Sequence, residues 1–364
     1  MKVILLLPQQ KSVYSIFFEM FANLRAALSS LGTACRIVEV GSRGAASFPY
    51  GSAERIPEED LGPYLRTNSS EDTYFVAVDG YALMKPLYRL GRVNNLLIWA
   101  HYFHGHKFLF KAYRRTDRTY SGFSKGLIAE NFAGYVPNLA AIHLSRFYWK
   151  TLQRHPVVAQ SLWTELLLER TLSVPTIGTL RIPVDPQAYD VDLTLPRAGT
   201  LVFLGDRTDT NLTVLYSTIR ELGKKLTSPI DYFGEEASGS IFTRKFGVKM
   251  NYLGKIDRSE LSHHYSRHMI TIVPIYNGNF EMVPIESILC GTPVITFPQP
   301  FMEVTGDNNM VACIWNRRGV MDSVRKWSGL QLEEKIEVKE RILKQMSSQT
   351  VARKLLWHLN TMGE

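Results

Sequence analysis

Short runs of consecutive apolar residues alternate along this chain with longer stretches in which apolar residues recur every three or four positions. Lys2–Leu7 predicts a buried strand. Ser12–Leu31 then carries Phe17, Met20, Phe21, Leu24, Ala27, Leu28 and Leu31 at helical spacing, and Gly32 stands where a C-cap belongs. Cys35–Val40, Thr73–Val78 and Asn95–Ala100 predict further strands, with a helix over Ala82–Leu90. Val157–Gln160 predicts a strand and Ser161–Thr171 a helix with Ser161 as N-cap.

The alternation restarts after Asp185–Gly199, a linker-like stretch holding Pro186, Pro196 and Gly199. Strands are expected at Thr200–Leu204, Ile230–Phe233, Lys249–Leu253, Ile270–Val273 and Pro293–Thr296. Helices are expected at Asn211–Leu226, Ser259–Ser266 and Val283–Cys290, and Glu333–Asn360 is helical and charged. Strands separated by helices need crossover connections, so each half is an α/β unit with a parallel sheet covered on both faces. The expected domains are 1–191, 192–332 and a terminal helical segment 333–364 returning toward the first. Ligands of such sheets bind beyond the carboxyl ends of the strands.

Composition narrows the class. The 364 residues are 45% hydrophobic and 21% charged, which excludes disorder as the main state. No apolar run reaches the length of a membrane span. Cys35, Cys290 and Cys313 lie far apart without metal-site spacing, which points to a reduced, cytoplasmic protein.

Charge is focused. Between His101 and Arg154 stand nine Lys or Arg, including Lys107, Lys111, Arg114, Arg115 and Arg118, against only Asp117 and Glu130. The chain as a whole is +8. Aromatics, Tyr102, Phe103, Phe108 and Phe110 among them, crowd the same segment. Basic plus aromatic suits an anionic membrane interface or nucleic-acid bases, and equally a core under a solvated basic face.

One segment carries chemistry. Ile272–Pro274 ends a strand, Tyr276–Glu281 is a loop with Gly278 and small polar residues, a helix starts near Met282, and Cys290-Gly291-Thr292-Pro293 turns into the next strand. Such a loop lets backbone N–H groups approach a phosphate, and the helix N-terminus adds positive potential. Glu286, read as near that helix start, is placed to accept ribose hydroxyls or simply to cap the helix.

This segment resembles the donor-binding signature of retaining glycosyltransferases of the GT-B fold, most closely glycosyltransferase family 4. Tyr252-Leu253-Gly254-Lys255, Glu260-Leu261 and Tyr265 resemble the stretch before it. Val157–Ser161, Pro183-Val184-Asp185 through Tyr189, and Phe203-Leu204-Gly205 resemble the end of the family's first domain and the start of its second. The resemblance implies two Rossmann-like doubly wound domains facing a central cleft. The donor, a nucleotide-diphosphate sugar and by this reading a UDP-sugar, is held by the second domain and the acceptor by the first.

The departures are specific. Glu286 matches the second signature Glu, but Gly278 stands where the first belongs, leaving Glu281 to take its part at the transferred sugar. Asp206 and Asn211 occupy the positions of the family's diphosphate-binding Arg and Lys. Arg207, displaced by one, and Lys255 are the substitutes, with Asn279, Phe280, Met282 and Val283 completing the donor site. His101, next to His104 and His106 at the end of a predicted strand, matches the family's sugar-facing His. No metal is required if these cations and the helix N-termini neutralise the diphosphate. The acceptor implied is a surface glycan or lipid-linked saccharide, at the inner face of a membrane. The alternatives are a hydroxymethylated base in DNA, as in phage enzymes, and a non-catalytic GT-B binding protein.

Overall fold

The structure is a computed structural model of the full chain. It describes all residues except 9–15, 42–52, 80, 101–146, 206–209, 224–228, 276–281, 298–299, 307, 314–321, 323, 325, 328 and 363–364. Two compact units result, one formed by Met1–Val184 with Ser348–Glu364, the other by Asp185–Ser347. By contact the division falls at 184/185, where the sequence suggested 191/192.

In the first unit the strands are β1 (Lys2–Pro8), β2 (Ala34–Gly41), β3 (Glu54–Pro57), β4 (Thr73–Val78), β5 (Leu96–Ala100) and β6 (Val157–Ala159). They form one parallel sheet in the order β3-β2-β1-β4-β5-β6. Its helices are α1 (Ile16–Ser30), α2 (Leu61–Asn68), α3 (Tyr81–Leu90), a helical segment at 147–152, and α4 (Leu162–Leu172).

The inner strands β1, β4 and β5 are largely apolar because both faces of the sheet are covered. Along β1, Ile4 and Leu6 enter one core with Leu83, Leu87 and Leu152. Val3, Leu5 and Leu7 enter the other with Phe21, Leu24 and Trp99. That is the two-residue period of a strand divided between two layers. Trp99 is fully buried, meets Phe21 edge-on at 5.6 Å, and donates its indole N–H to the Leu180 carbonyl at 2.9 Å.

The second unit repeats the plan. Its strands are β7 (Thr200–Leu204), β8 (Ile230–Gly234), β9 (Asn251–Tyr252), β10 (Ile270–Val273), β11 (Val294–Thr296) and β12 (Val311–Cys313). All pair in parallel, in the order β12-β11-β10-β7-β8-β9. Its helices are α5 (Leu212–Leu222), α6 (Glu236–Phe246), α7 (Arg258–Arg267), α8 (Met282–Leu289), α9 (Met302–Thr305) and α10 (Leu332–Met346). In both sheets the first strand lies between the second and the fourth, the doubly wound order with a topological switch point at that junction.

Several elements depart from the sequence expectation. The terminal segment is two helices, α10 and α11 (Ser348–Thr361), broken at Ser347, whose ψ of 144° is extended. Ser348 begins the new helix with both its N–H and its hydroxyl on the Val184 carbonyl, each at 3.1 Å. Helix α6 was not expected, because its apolar pattern is thin and Gly239 interrupts it. A Cβ at Gly239 would lie 2.2 Å from Tyr232 Cζ, so the glycine is what lets α6 lie on the ring. The short outer strands β3 and β12 were also missed.

Candidate functional site

The second unit's switch point lies between the carboxyl ends of β7 and β10, which end at Leu204 and Val273. The chain is tied together just beyond them. The Asn211 N–H donates to the Pro274 carbonyl at 2.8 Å, and Thr210 bridges to Ile275. Asn211 is the N-cap of α5, its side-chain oxygen accepting from the Val214 N–H at 3.0 Å. Where the resemblance placed a diphosphate-binding lysine, this residue caps a helix. Thr210 is 6% exposed and its hydroxyl has no hydrogen-bond partner, an open polar atom beside the switch point that the sequence reading passed over.

Helix α8 follows from β10, and all eight of its residues are buried. Glu286 is the fifth, not in the first turn, so it does not cap the helix. It is fully buried. Tyr189 donates its hydroxyl to Oε1 at 2.9 Å, and Tyr265 donates to Oε2 at 3.2 Å. Burying a carboxylate is costly unless its oxygens find donors, and two tyrosines from distant parts of the unit supply them. Burial, and then the Glu286 charge, push the Tyr265 phenol well above its ordinary value. Its proton therefore stays available as a donor.

The Cys-Gly-Thr-Pro turn belongs to the same framework. Arg197 Nη2 donates to the Cys290 carbonyl at 2.8 Å, and Nη1 donates to the Thr292 hydroxyl. Thr292 in turn donates to the Tyr265 carbonyl at 2.6 Å. Gly291 has φ +73°, and a Cβ there would meet Leu193 at 2.9 Å and Arg197 Nη2 at 3.0 Å. The Cys290 thiol is pushed up to about 12 by burial and then by the Glu286 charge, which removes it as a thiolate nucleophile. From α10, Lys339 donates to the Tyr189 carbonyl at 2.6 Å. The signature thus builds a rigid seat for α8.

Of the expected donor residues, Met282 and Val283 occupy the first turn of α8, each 8% exposed, and share that helix with Glu286. Lys255 is exposed beyond β9, the edge strand, two strands from β7 in the sheet order. Arg207, Asn279, Phe280 and Glu281 lie outside the described residues, as do His101, Lys107, Lys111, Arg114, Arg115 and Arg118. The sequence reading gave no role to Tyr189, Arg197 or Tyr265, although it had singled out Tyr189 and Tyr265 within the resemblance.

The first unit has a buried acid at its own switch point. Asp79, directly after β4, is fully buried and accepts the Tyr148 hydroxyl. Burial, and then the Asp79 charge, push that phenol well up. No composition or spacing signal marked this pair. No helix among the described residues is long and apolar enough to cross a membrane.

No protein-family model and no curated protein matches the sequence. Solved structures do match the fold. A sucrose-phosphate synthase from Thermosynechococcus elongatus superposes with a TM-score of 0.67 at 12% identity, covering 99% of this chain and 98% of that one. The E. coli trehalose-6-phosphate structure bound with UDP-2-fluoro glucose gives 0.67 at 10%, covering 99% of each chain. An alpha-glucosyltransferase in complex with UDP and a 13-mer DNA containing an HMU base gives 0.62 at 11%, again over 99% of each. The chain therefore has the α/β GT-B fold, with two parallel six-stranded sheets and their helices.

Proposed function

We propose that this protein is a glycosyltransferase that moves a sugar from a nucleotide-diphosphate donor, a UDP-sugar, to an acceptor hydroxyl with retention of configuration. The observation that carries the reading is the seating of α8 by Tyr189, Tyr265 and Glu286 beside the second unit's switch point, within the one segment that resembles a donor signature. The structural neighbours bound to UDP or UDP-2-fluoro glucose support the choice of donor.

In this reading the second unit holds the donor. The N-terminus of α8 faces the diphosphate, with Met282 and Val283 in its first turn and Asn279 and Phe280 preceding it. Arg207 and Lys255 supply cationic charge, so no metal is needed. Glu286 acts mainly by fixing α8, since each of its oxygens already accepts a tyrosine hydroxyl. A ribose hydroxyl reaches it by replacing one of them. Glu281 and His101 act at the transferred sugar. The first unit takes the acceptor, a surface glycan or lipid-linked saccharide at the inner face of a membrane. Exposed Leu162, Trp163 and Leu166 on α4, together with the basic and aromatic segment before β6, support that surface.

A second acceptor class has its own support. The alpha-glucosyltransferase with DNA shares the fold, and the basic segment equally suits phosphates. One experiment tests the central reading: calorimetric titration with UDP and UDP-glucose, followed by UDP release over time. Binding of both with slow release of UDP is expected. Binding without any release, even with acceptor extracts, makes the chain a non-catalytic GT-B protein, and no binding of any nucleoside diphosphate removes the reading.

A further inference from the structure

Three helical pieces of the first unit cover one face of its sheet. Leu83 and Leu87 of α3, Leu152 of the segment at 147–152 and Leu168 of α4 enter the same core. Each piece follows one parallel strand and leads to the start of the next parallel stretch, so each runs from the carboxyl edge of the sheet back to the amino edge. Tyr148 donates to Asp79 at the first edge. Arg154 and His155 reach the Tyr88 and Gly91 carbonyls, at 3.1 and 3.2 Å, near the second.

Away from that core the layer carries charge of one sign. Lys85 and Arg89 stand one turn apart on α3, with Arg92 just beyond its end, and Lys150 and Arg154 stand four residues apart on the neighbouring piece. The Arg154 guanidinium, 4.6 Å from the centre of the Tyr88 ring, brings the two rows together. Residues 80–100 and 147–164 contain no Asp or Glu. Among the described residues none of the five cations is ion-paired. The acids of α4, Glu165 and Glu169, both accept the Thr176 hydroxyl. Like charges gathered without acids repel one another, and an anionic partner relieves them.

Toward the carboxyl edge the same side turns apolar. Phe147, Leu162, Trp163 and Leu166 are exposed, the two leucines by 53% and 51%. Large apolar side chains left in water beside a cationic band are the pattern of a surface that lies in a bilayer interface. Nucleic acid would answer the cations and the aromatic rings, but it gives two aliphatic side chains nothing to bury in. A bilayer answers both ends, with headgroup phosphates for the cations and the acyl boundary for the leucines.

We propose that this helical face of the first unit docks on an anionic bilayer, its five cations against lipid phosphates and Leu162, Trp163 and Leu166 in the boundary between headgroups and acyl chains. The inference rests on the reading of the acceptor as membrane-borne and is independent of the donor.

Sedimentation of the full chain with vesicles tests it, using phosphatidylcholine alone and an equimolar mixture with phosphatidylglycerol. The wild type is expected to bind the mixture, and phosphatidylcholine alone far less. Each cation on an anionic surface changes partitioning about fivefold, so Lys85→Gln, Arg89→Gln, Arg92→Gln and Lys150→Gln combined weaken binding roughly a hundredfold or more. Arg154 is kept because it ties the two rows together. Arg89→Gln and Arg92→Gln singly, each about fivefold weaker, carry the test if the combined variant melts early. Leu162→Ser with Leu166→Ser removes the binding that survives high salt, because apolar burial is not screened. Equal sedimentation of the wild type and the cation variants overturns the proposal. So does a wild type that binds both vesicles alike, binds neither, or shifts duplex DNA but no vesicle. UDP titration runs in parallel: UDP binding retained in those cases leaves the donor reading standing, and its absence removes that reading without touching the vesicle result.

Discussion

Tyr265 on α7 and Glu286 on α8 face each other across a 3.2 Å hydrogen bond inside the second unit, and the Tyr265 carbonyl is in turn held by Thr292 at 2.6 Å. One residue thus ties the buried acid to the turn that ends α8. Removing Glu286 leaves two buried tyrosine hydroxyls, those of Tyr189 and Tyr265, without this acceptor. Glu286→Ala is expected to cost about 2–4 kcal/mol of stability, from the desolvation of both hydroxyls and the cavity. Glu286→Gln keeps an acceptor and is expected to cost about half as much. Urea unfolding measures both. If Glu286→Ala unfolds like wild type while UDP binding falls, the residue belongs to the ligand rather than to the seat of α8.

Three glycines of the second unit with positive φ should differ in the severity of their replacement. Gly234 has φ +103°, and a Cβ there would lie 2.2 Å from the Leu204 carbonyl oxygen, which is backbone and cannot turn aside. Gly291 has φ +73°, with flexible tips of Leu193 and Arg197 at 2.9 and 3.0 Å. Gly247 has φ +70° with nothing within 4 Å. Conversion to Ala should therefore destabilise in the order Gly234, Gly291, Gly247. The last is expected to cost about 1 kcal/mol from its backbone conformation alone, and Gly234 to prevent folding or cost several times more. Denaturation midpoints give the order directly, and an equal loss at all three positions would show that the close contacts carry no weight.

Stability should fall on mild acidification. His358 and His155 are both lowered from the ordinary imidazole range, chiefly by burial. The Lys354 charge adds to the effect at His358, and Arg92 and Arg154 add to it at His155. Hydrogen bonds to the Thr179 and Gly91 carbonyls oppose it. A folded pKa below the unfolded one means that the unfolded chain binds more protons in that window. The contribution is complete above the unfolded value of about 6.5 and is lost as pH drops through and below it. His358→Gln and His155→Gln should each flatten the decline of the urea midpoint between about pH 7 and pH 5. A wild-type midpoint constant over that range would show that neither burial persists in solution.

Much of the framework was legible because β strands buried on both faces leave continuous apolar runs. Thr73–Val78, Thr200–Leu204 and Ile270–Val273 match the expected bounds at both ends. Ser161 and Asn211 start their helices as capping chemistry requires. Relations between distant residues were not legible. Tyr189 reaches Glu286 across 97 positions, and no local pattern encodes that the lone carboxylate of an apolar helix will be fully buried. Helix α6 was hidden by Gly239, whose purpose is visible only with the Tyr232 ring in place.

The segment from His101 to Arg154 carries net +7, with aromatics interleaved among its cations. If that charge meets an anionic partner, binding weakens with salt, because exposed charges are screened beyond about 8 Å at physiological ionic strength. On a lipid surface each Lys or Arg contributes about 1 kcal/mol, so a few suffice for reversible docking. On duplex DNA the logarithm of affinity falls with the logarithm of salt by about 0.9 for each phosphate contacted. Glu substitutions at Lys111, Arg114, Arg115 and Arg118 together reverse the core of the segment and should abolish either interaction. They should leave UDP binding unchanged, since the donor is read to lie in the second unit. Sedimentation with phosphatidylglycerol vesicles and gel shifts with duplex DNA, each at two salt concentrations, separate the cases. Vesicle binding that needs these four cations supports a lipid-linked or membrane-borne acceptor, which the interleaved aromatics favour. Binding to DNA alone transfers the acceptor to nucleic acid. Binding to neither returns the cations to a solvated face and leaves a soluble acceptor.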